Sequence, residues 1–149
     1  MNTLTDSGMI ETYRGAVYPW HCDHMGHMNV MWYVGKFDEA TWNLFADIGM
    51  TRDFLQDKQR AMAAVQQTIS YKRELLSGDV VAVRSGLLEM REKVVKFVHE
   101  MRQAHTSEVA AVCVITAVHM DGANRKSTAF PAEFIARGRE MLCSYELGR

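Results

Sequence analysis

Residues 30–49 read VMWYVGKFDEATWNLFADIG, and the spacing of their apolar side chains decides the fold. Val30, Val34, Phe37, Thr41, Leu44 and Ile48 recur at three- and four-residue steps, which predicts an amphipathic helix. Asn29 suits its N-cap and Gly49 its C-terminal cap. Trp32, Tyr33, Ala40, Trp42 and Phe45 widen the apolar stripe around much of the circumference. Such a helix calls for other structure wrapped around it.

Strands supply the wrapping. Residues 9–20 (MIETYRGAVYPW) alternate as a strand that Pro19 stops. Residues 64–74 (AVQQTISYKRE) alternate too, with Val65, Ile69 and Tyr71 on one face. A Ser77-Gly78-Asp79 turn leads into 80–90, and Arg91-Glu92-Lys93 joins that segment to 94–103 as a hairpin. Residues 109–120 (VAAVCVITAVHM) are apolar on both faces, as a strand covered on both sides would be. Pro131 opens a short closing helix. The expected architecture is α+β: one strand, one long helix, then four strands in a meander, the sheet curled around the helix. No linker or repeat divides residues 1–149, so one domain is expected.

A net charge of −1 offers no basic field for a nucleic-acid backbone. The start, MNTLTDSGMIETYRG, has neither the basic lead nor the apolar run of a secretion signal. No stretch reaches the length of a membrane span. Cys22, Cys113 and Cys143 are odd in number and lack CxxC spacing, which argues against a disulfide framework. A cytoplasmic protein is expected.

The chemistry concentrates in HCDHMGHMN, residues 21–29. Three readings stand on these residues alone. His21, His24 and His27 with Cys22 and Asp23 could bind a metal, although His99, His105 and His119 supply no second ligand group at zinc-like spacing. Cys22 and His24 could pair as nucleophile and base, since alternate residues of an extended segment share a face. Third, Asp23, Gly26, His27 and Asn29 precede a helix N-terminus, whose free N–H groups favour negative charge. Glycine lets a substrate approach the backbone closely. A carboxylate there could activate water or attack a carbonyl while N–H groups hold the oxyanion, the equipment of ester or thioester hydrolysis. Asp23 and Asn29 could equally do no more than cap a turn and a helix.

DHMGHMNVMWY resembles the Asp-x-x-Gly-His-x-Asn-x-x-x-Tyr signature of hotdog-fold acyl-CoA thioesterases, the group that includes 4-hydroxybenzoyl-CoA thioesterase. Asp23, Gly26, His27, Asn29 and Tyr33 carry the match, and FDEATW, ISYKREL, the Ser-Gly-Asp turn, VKFVHEM and the closing proline extend it over most of the chain. The resemblance implies a sheet around a long helix. It makes Asp23 the catalytic carboxylate, as general base or nucleophile. The backbone at Gly26 and His27 would polarise the carbonyl, and Asn29 would orient water or substrate. The expected reaction releases free acid and coenzyme A from a small or medium acyl-CoA, with no metal or other cofactor, in a homodimer or homotetramer whose sites lie between subunits. The histidine–asparagine pair is closer to plant-type acyl-carrier-protein thioesterases than to the 4-hydroxybenzoyl branch. The Gly-Asp-x-Asn-Pro motif of hotdog hydratases is missing, which disfavours dehydration.

Trp32 and Tyr33, with Trp20 and Trp42, could line an acyl pocket or cage a cationic acyl group. Arg73, Arg125 and Lys126, with Lys72, could meet the phosphates of coenzyme A. Two rival functions are a non-catalytic acyl-CoA-binding module and a metal-dependent hydrolase.

Overall fold

The long helix forms where the periodicity places it. In this computed structural model, which describes residues 8–146, α1 runs Val30–Ile48. Asn29 caps it by accepting the Met31 N–H at 2.9 Å. Gly49 ends it at φ +118°, where an added Cβ would lie 2.6 Å from the Phe134 ring. The polar lead at residues 1–7 lies outside the described residues.

Around α1 run β1 (Ile10–Ala16), β2 (Arg60–Tyr71), β3 (Val80–Met90), β4 (Val94–Gln103), β5 (Val109–Asp121) and β6 (Lys126–Ser127). Two short helices, α2 (Arg52–Asp57) and α3 (Ala132–Glu140), flank the C-terminal end of α1. The sheet is antiparallel with order β1-β3-β4-β5-β2, and β6 pairs β5.

That order corrects the expected meander. Only β3-β4-β5 is one, because β2 lies at the far edge beside β5 and the chain crosses back to place β3 beside β1. The return is pinned by Gly78 N–H to Val17 O and Val17 N–H to Asp79 O, both 2.8 Å. As an edge strand, β2 buries little, and Val65 of its alternating face is 61% exposed. The first strand stops at Ala16, before Pro19 starts a single 3₁₀ turn to His21. In β5 the doubly apolar run is buried throughout Ala110–Cys113, with alternation beyond. Neither α2, begun by a Thr51 cap, nor β6 was anticipated.

The core lies between α1 and the sheet. Phe37, Ala40, Leu44 and Phe45 meet Val95, Phe97, Met101 and Ile115 there. The opposite side of α1 departs from the expected stripe: Val30, Met31, Val34 and Trp42 are exposed. Over the outer sheet face, Cys143 N–H bonds Leu87 O and the Tyr145 hydroxyl bonds buried Glu100.

One polar thread crosses the core. The Thr41 hydroxyl donates to Phe37 O at 2.9 Å, so its oxygen accepts from His99 Nε2 at 2.8 Å. That tautomer leaves His99 Nδ1 to accept from the Ser85 hydroxyl, which is in turn bonded to Thr12. Burial lowers the His99 pKa to about 3, so the ring is neutral. The unfolded chain binds a proton below about pH 6.5 that this folded ring refuses, so stability falls as pH drops through that value. From pH 7 to 5 the group is expected to cost about 2 kcal/mol. Urea titrations of wild type and His99→Gln should show a shallower acid loss in the variant.

Candidate active site

Asp23 stands at the base of a tight loop that leads into α1. Residues 21–23 run antiparallel to 27–29, with Asp23 N–H to His27 O at 3.2 Å and Asn29 N–H to His21 O at 2.9 Å. Gly26 turns the loop at φ +90°, and its N–H donates to Asp23 O at 3.0 Å. No atom lies within 4 Å of where its Cβ would be, so the backbone conformation, not crowding, favours glycine here. Met28 N–H to Leu75 O, at 2.7 Å, moors the loop to the β2–β3 crossover.

Each carboxylate oxygen of Asp23 accepts one bond at 2.8 Å, Oδ1 from Met25 N–H and Oδ2 from Asn29 Nδ2. Asn29 thus works twice, capping α1 through its oxygen and holding Asp23 through its nitrogen. The Asn29 bond, then the Met25 bond, holds the Asp23 carboxyl below the usual carboxylate range, with smaller help from His27 and His24. Asp23 is therefore an anion at neutral pH, with lone pairs left over. That suits a nucleophile or a water-orienting base and rules out a general acid. Among the described residues, the backbone N–H groups of His27 and Val30 have no hydrogen-bond partner, and Val30 opens the helix. Both are available to a developing oxyanion.

The other histidines and Cys22 are differently engaged. His21 Nδ1 accepts the Tyr18 N–H at 3.0 Å, and its ring packs on Trp32 at 4.5 Å. His27 Nε2 faces Glu74 at 3.6 Å. The Cys22 thiol donates to Tyr18 O at 3.8 Å. No three His, Cys, Asp or Glu side chains among the described residues converge as a metal site would require.

Tyr33 is buried. Its hydroxyl donates to Arg73 O at 3.0 Å, tying the first turn of α1 to the end of β2, and burial raises its pKa to about 12. The exposed Arg73 side chain pairs with Glu108 at 2.9 Å. The structure thus gathers Asp23, Gly26, His27, Asn29, Trp32, Tyr33 and Arg73 at one end of the sheet. Arg125 and Lys126 are not with them. They follow Asp121, which pairs Arg60 at the far end of β2, whereas Tyr71 pairs Ala111 at the near end.

A cavity of about 530 Å³ opens beside the exposed side of α1, between Met31, Val34 and Trp42 on the helix and Met62, Phe97 and Ile115 on the sheet. Its lining begins at Met31, the second residue of α1. The sequence reading missed it, and missed Asp38, which also lines it. The available signal was that Asp38 breaks the apolar stripe between Val34 and Trp42.

Residues 17–138 match the family model of the thioesterase-like superfamily. The chain belongs to that superfamily, and it is a thioester hydrolase. The betainyl-CoA thioesterase of Pseudomonas aeruginosa is 24% identical over 131 residues, spanning 88% of this chain and 82% of that protein. The fold is the hotdog fold of solved thioesterases. A Staphylococcus aureus protein determined in complex with CoA superposes with TM-score 0.85 at 17% identity, covering 93% of this chain and 90% of that one. The 1,4-dihydroxy-2-naphthoyl-CoA thioesterase of Synechocystis gives 0.78 at 16%, covering 88% and 96%.

Asn29→Ala should have two separable effects. Loss of the cap costs about 1 kcal/mol of stability, read by thermal melting. Loss of the bond to Asp23 removes the largest influence holding its carboxyl pKa down, so that pKa rises and the acidic limb of the pH–rate profile moves to higher pH.

Proposed function

We propose that this protein hydrolyses a small or medium acyl-CoA to the free acid and coenzyme A, with Asp23 as the attacking or water-activating carboxylate. One observation carries the assignment: an ionised Asp23 held by two hydrogen bonds just ahead of α1, where the His27 and Val30 N–H groups have no partner among the described residues. The named substrate of the Pseudomonas relative supports the small end of the acyl range. The N–H groups of His27 and Val30 serve the oxyanion, Gly26 turns the loop that presents them with its own N–H held by Asp23 O, and Asn29 orients Asp23. Trp32 packs on His21 and Tyr33 ties α1 to Arg73 O, both supporting the loop, and the Arg73 side chain at the same end of the sheet is the candidate for the phosphates. The chain works as one domain in the cytoplasm. Thiol release from a panel of acyl-CoAs tests the reading, and binding without turnover would favour the non-catalytic alternative.

The working unit is a homodimer or a tetramer of dimers. The outer edge of β2 pairs with no strand among the described residues, and free edges recruit strands. Exposed Val30, Met31, Val34, Val65 and Tyr71 adjoin that edge and support burial against a second copy. An antiparallel partner on β2 would carry its Arg125 and Lys126 toward the Asp23 end. Sedimentation should give a dimer or tetramer; a fully active monomer would refute this.

A further inference from the structure

We propose that Trp42 sets the longest acyl chain this protein accepts, as a wall between two apolar cavities that meet along the open side of α1. The inference rests on thioester hydrolysis at Asp23 and adds a length limit to it. The cavity already described takes in Met31, Val34 and Trp42 of the helix. A second, of about 510 Å³, lies between Trp42, Ala46 and Met50 on one side and Leu55 and Gln56 of α2 on the other. Among the described residues, Trp42 alone lines both. Each space by itself is that of a small-ligand pocket.

Neighbouring rings hold this wall and its surroundings in place. Phe45 meets the Trp42 indole edge-to-face at 5.6 Å, which fixes the plane of the larger ring. Beyond it, α2 is anchored by Phe54, edge-on against Phe134 at 4.7 Å, so the second cavity keeps its outer side. The deep side of the first cavity, Phe45, Phe97 and Ile115, faces or joins the core between α1 and the sheet. Asp38 also lines that cavity, but it is exposed and keeps its carboxylate in water. An alkyl chain lying along the apolar side gains burial with each methylene until it meets the indole.

Distance gives the limit. Asn29 holds Asp23 through its nitrogen and caps Met31 through its oxygen, and Met31 opens the cavity lining. From Asn29 to Trp42 the helix rises roughly 20 Å. The thioester carbon stands about 3.5 Å from its attacking group. The chain end stops about 4 Å from the indole. About 12 Å remains, which an extended chain covers in about ten bonds at roughly 1.2 Å each. A decanoyl chain spans roughly 11 Å from its carbonyl carbon and fits before Trp42, whereas a myristoyl chain spans roughly 16 Å and runs into it. Past Trp42 the helix rises roughly 9 Å further to Ile48, so the second cavity can take the excess once the indole is gone.

The test measures kcat/KM of the purified protein on hexanoyl-, decanoyl- and myristoyl-CoA. For wild type it should hold or rise from hexanoyl to decanoyl, then fall about tenfold or more at myristoyl, because a packed wall rejects the overlong chain. Trp42→Ala should raise the myristoyl-to-decanoyl ratio by roughly tenfold, and Trp42→Leu should raise it by less. Adding Ala46→Phe to Trp42→Ala refills the space one turn further along and should return the ratio toward that of wild type. Trp42 is 45% exposed and Ala46 is exposed, so these changes leave the core filled. A wild-type protein that cleaves myristoyl-CoA as well as decanoyl-CoA overturns the proposal while leaving hydrolysis intact. So does a ratio unmoved by Trp42→Ala, or a cut-off already reached below decanoyl, since the stop then lies elsewhere. If no acyl-CoA of a wider panel is cleaved, the hydrolase reading fails and this proposal with it.

Discussion

Asp23→Asn lowers thioester turnover by about 10²–10⁴-fold, the usual cost of removing a positioned base. The substitution keeps the side-chain volume and can still accept the Met25 N–H. It removes the charge, and it sets an amide nitrogen against Asn29 Nδ2, whose own oxygen is committed to the Met31 N–H. One local bond is lost, so circular dichroism and thermal melting should report a folded protein. Substrate binding remains, because the helix N-terminus and the cavity do not depend on the carboxylate. KM therefore changes little and the loss falls in kcat. The neighbouring Cys22→Ser retains most of the activity, since that thiol faces Tyr18 O. Should Cys22→Ser be inactive and Asp23→Asn active, the carboxylate mechanism is wrong and the cysteine takes its place.

The second large effect is on stability. Phe37 is fully buried, stacked on His99 at 5.7 Å within the core that α1 makes with the sheet. Phe37→Ala removes that ring from a site walled by β-strands that cannot collapse onto the gap, at a cost of about 3–5 kcal/mol. For a chain of this size that lowers Tm by roughly 10 °C. Val34→Ala, one turn earlier on the side of α1 that its own sheet leaves open, loses only contacts with a second copy and should cost clearly less than Phe37→Ala. Denaturant melts of the two variants show which side of α1 the sheet covers. Equal losses would mean that a second copy buries Val34 as fully as the sheet buries Phe37.

Much of the fold was legible because it rests on local chemistry. The three- and four-residue recurrence in 30–48 specifies a helix, Asn29 and Gly49 mark its ends, and the turn residues at 77–79 and 91–93 mark strand boundaries. The loop motif was legible for the same reason. Asp23, Gly26 and Asn29 lie within seven residues, so one turn and one cap place the carboxylate.

What the sequence determined by itself, then, is the helix, most of the strands, their α+β class and the residues of the loop. Only the tertiary structure decided which strands are neighbours and which side of α1 is open. Alternation along β2 states that two faces differ but not which strand pairs with either edge, so a meander and a crossover read alike until residues 72–79 are seen passing beneath the loop. Val34 shares the helical period of Phe37 and Leu44, yet it faces the cavity because the sheet curls around one side of α1. Arg73 joins Asp23 while Arg125 and Lys126 lie at the other end of β2, a separation that depends on strand register and not on residue type. Hydrophobic periodicity is a property of each segment, but pairing, curl and register arise between segments distant in the chain.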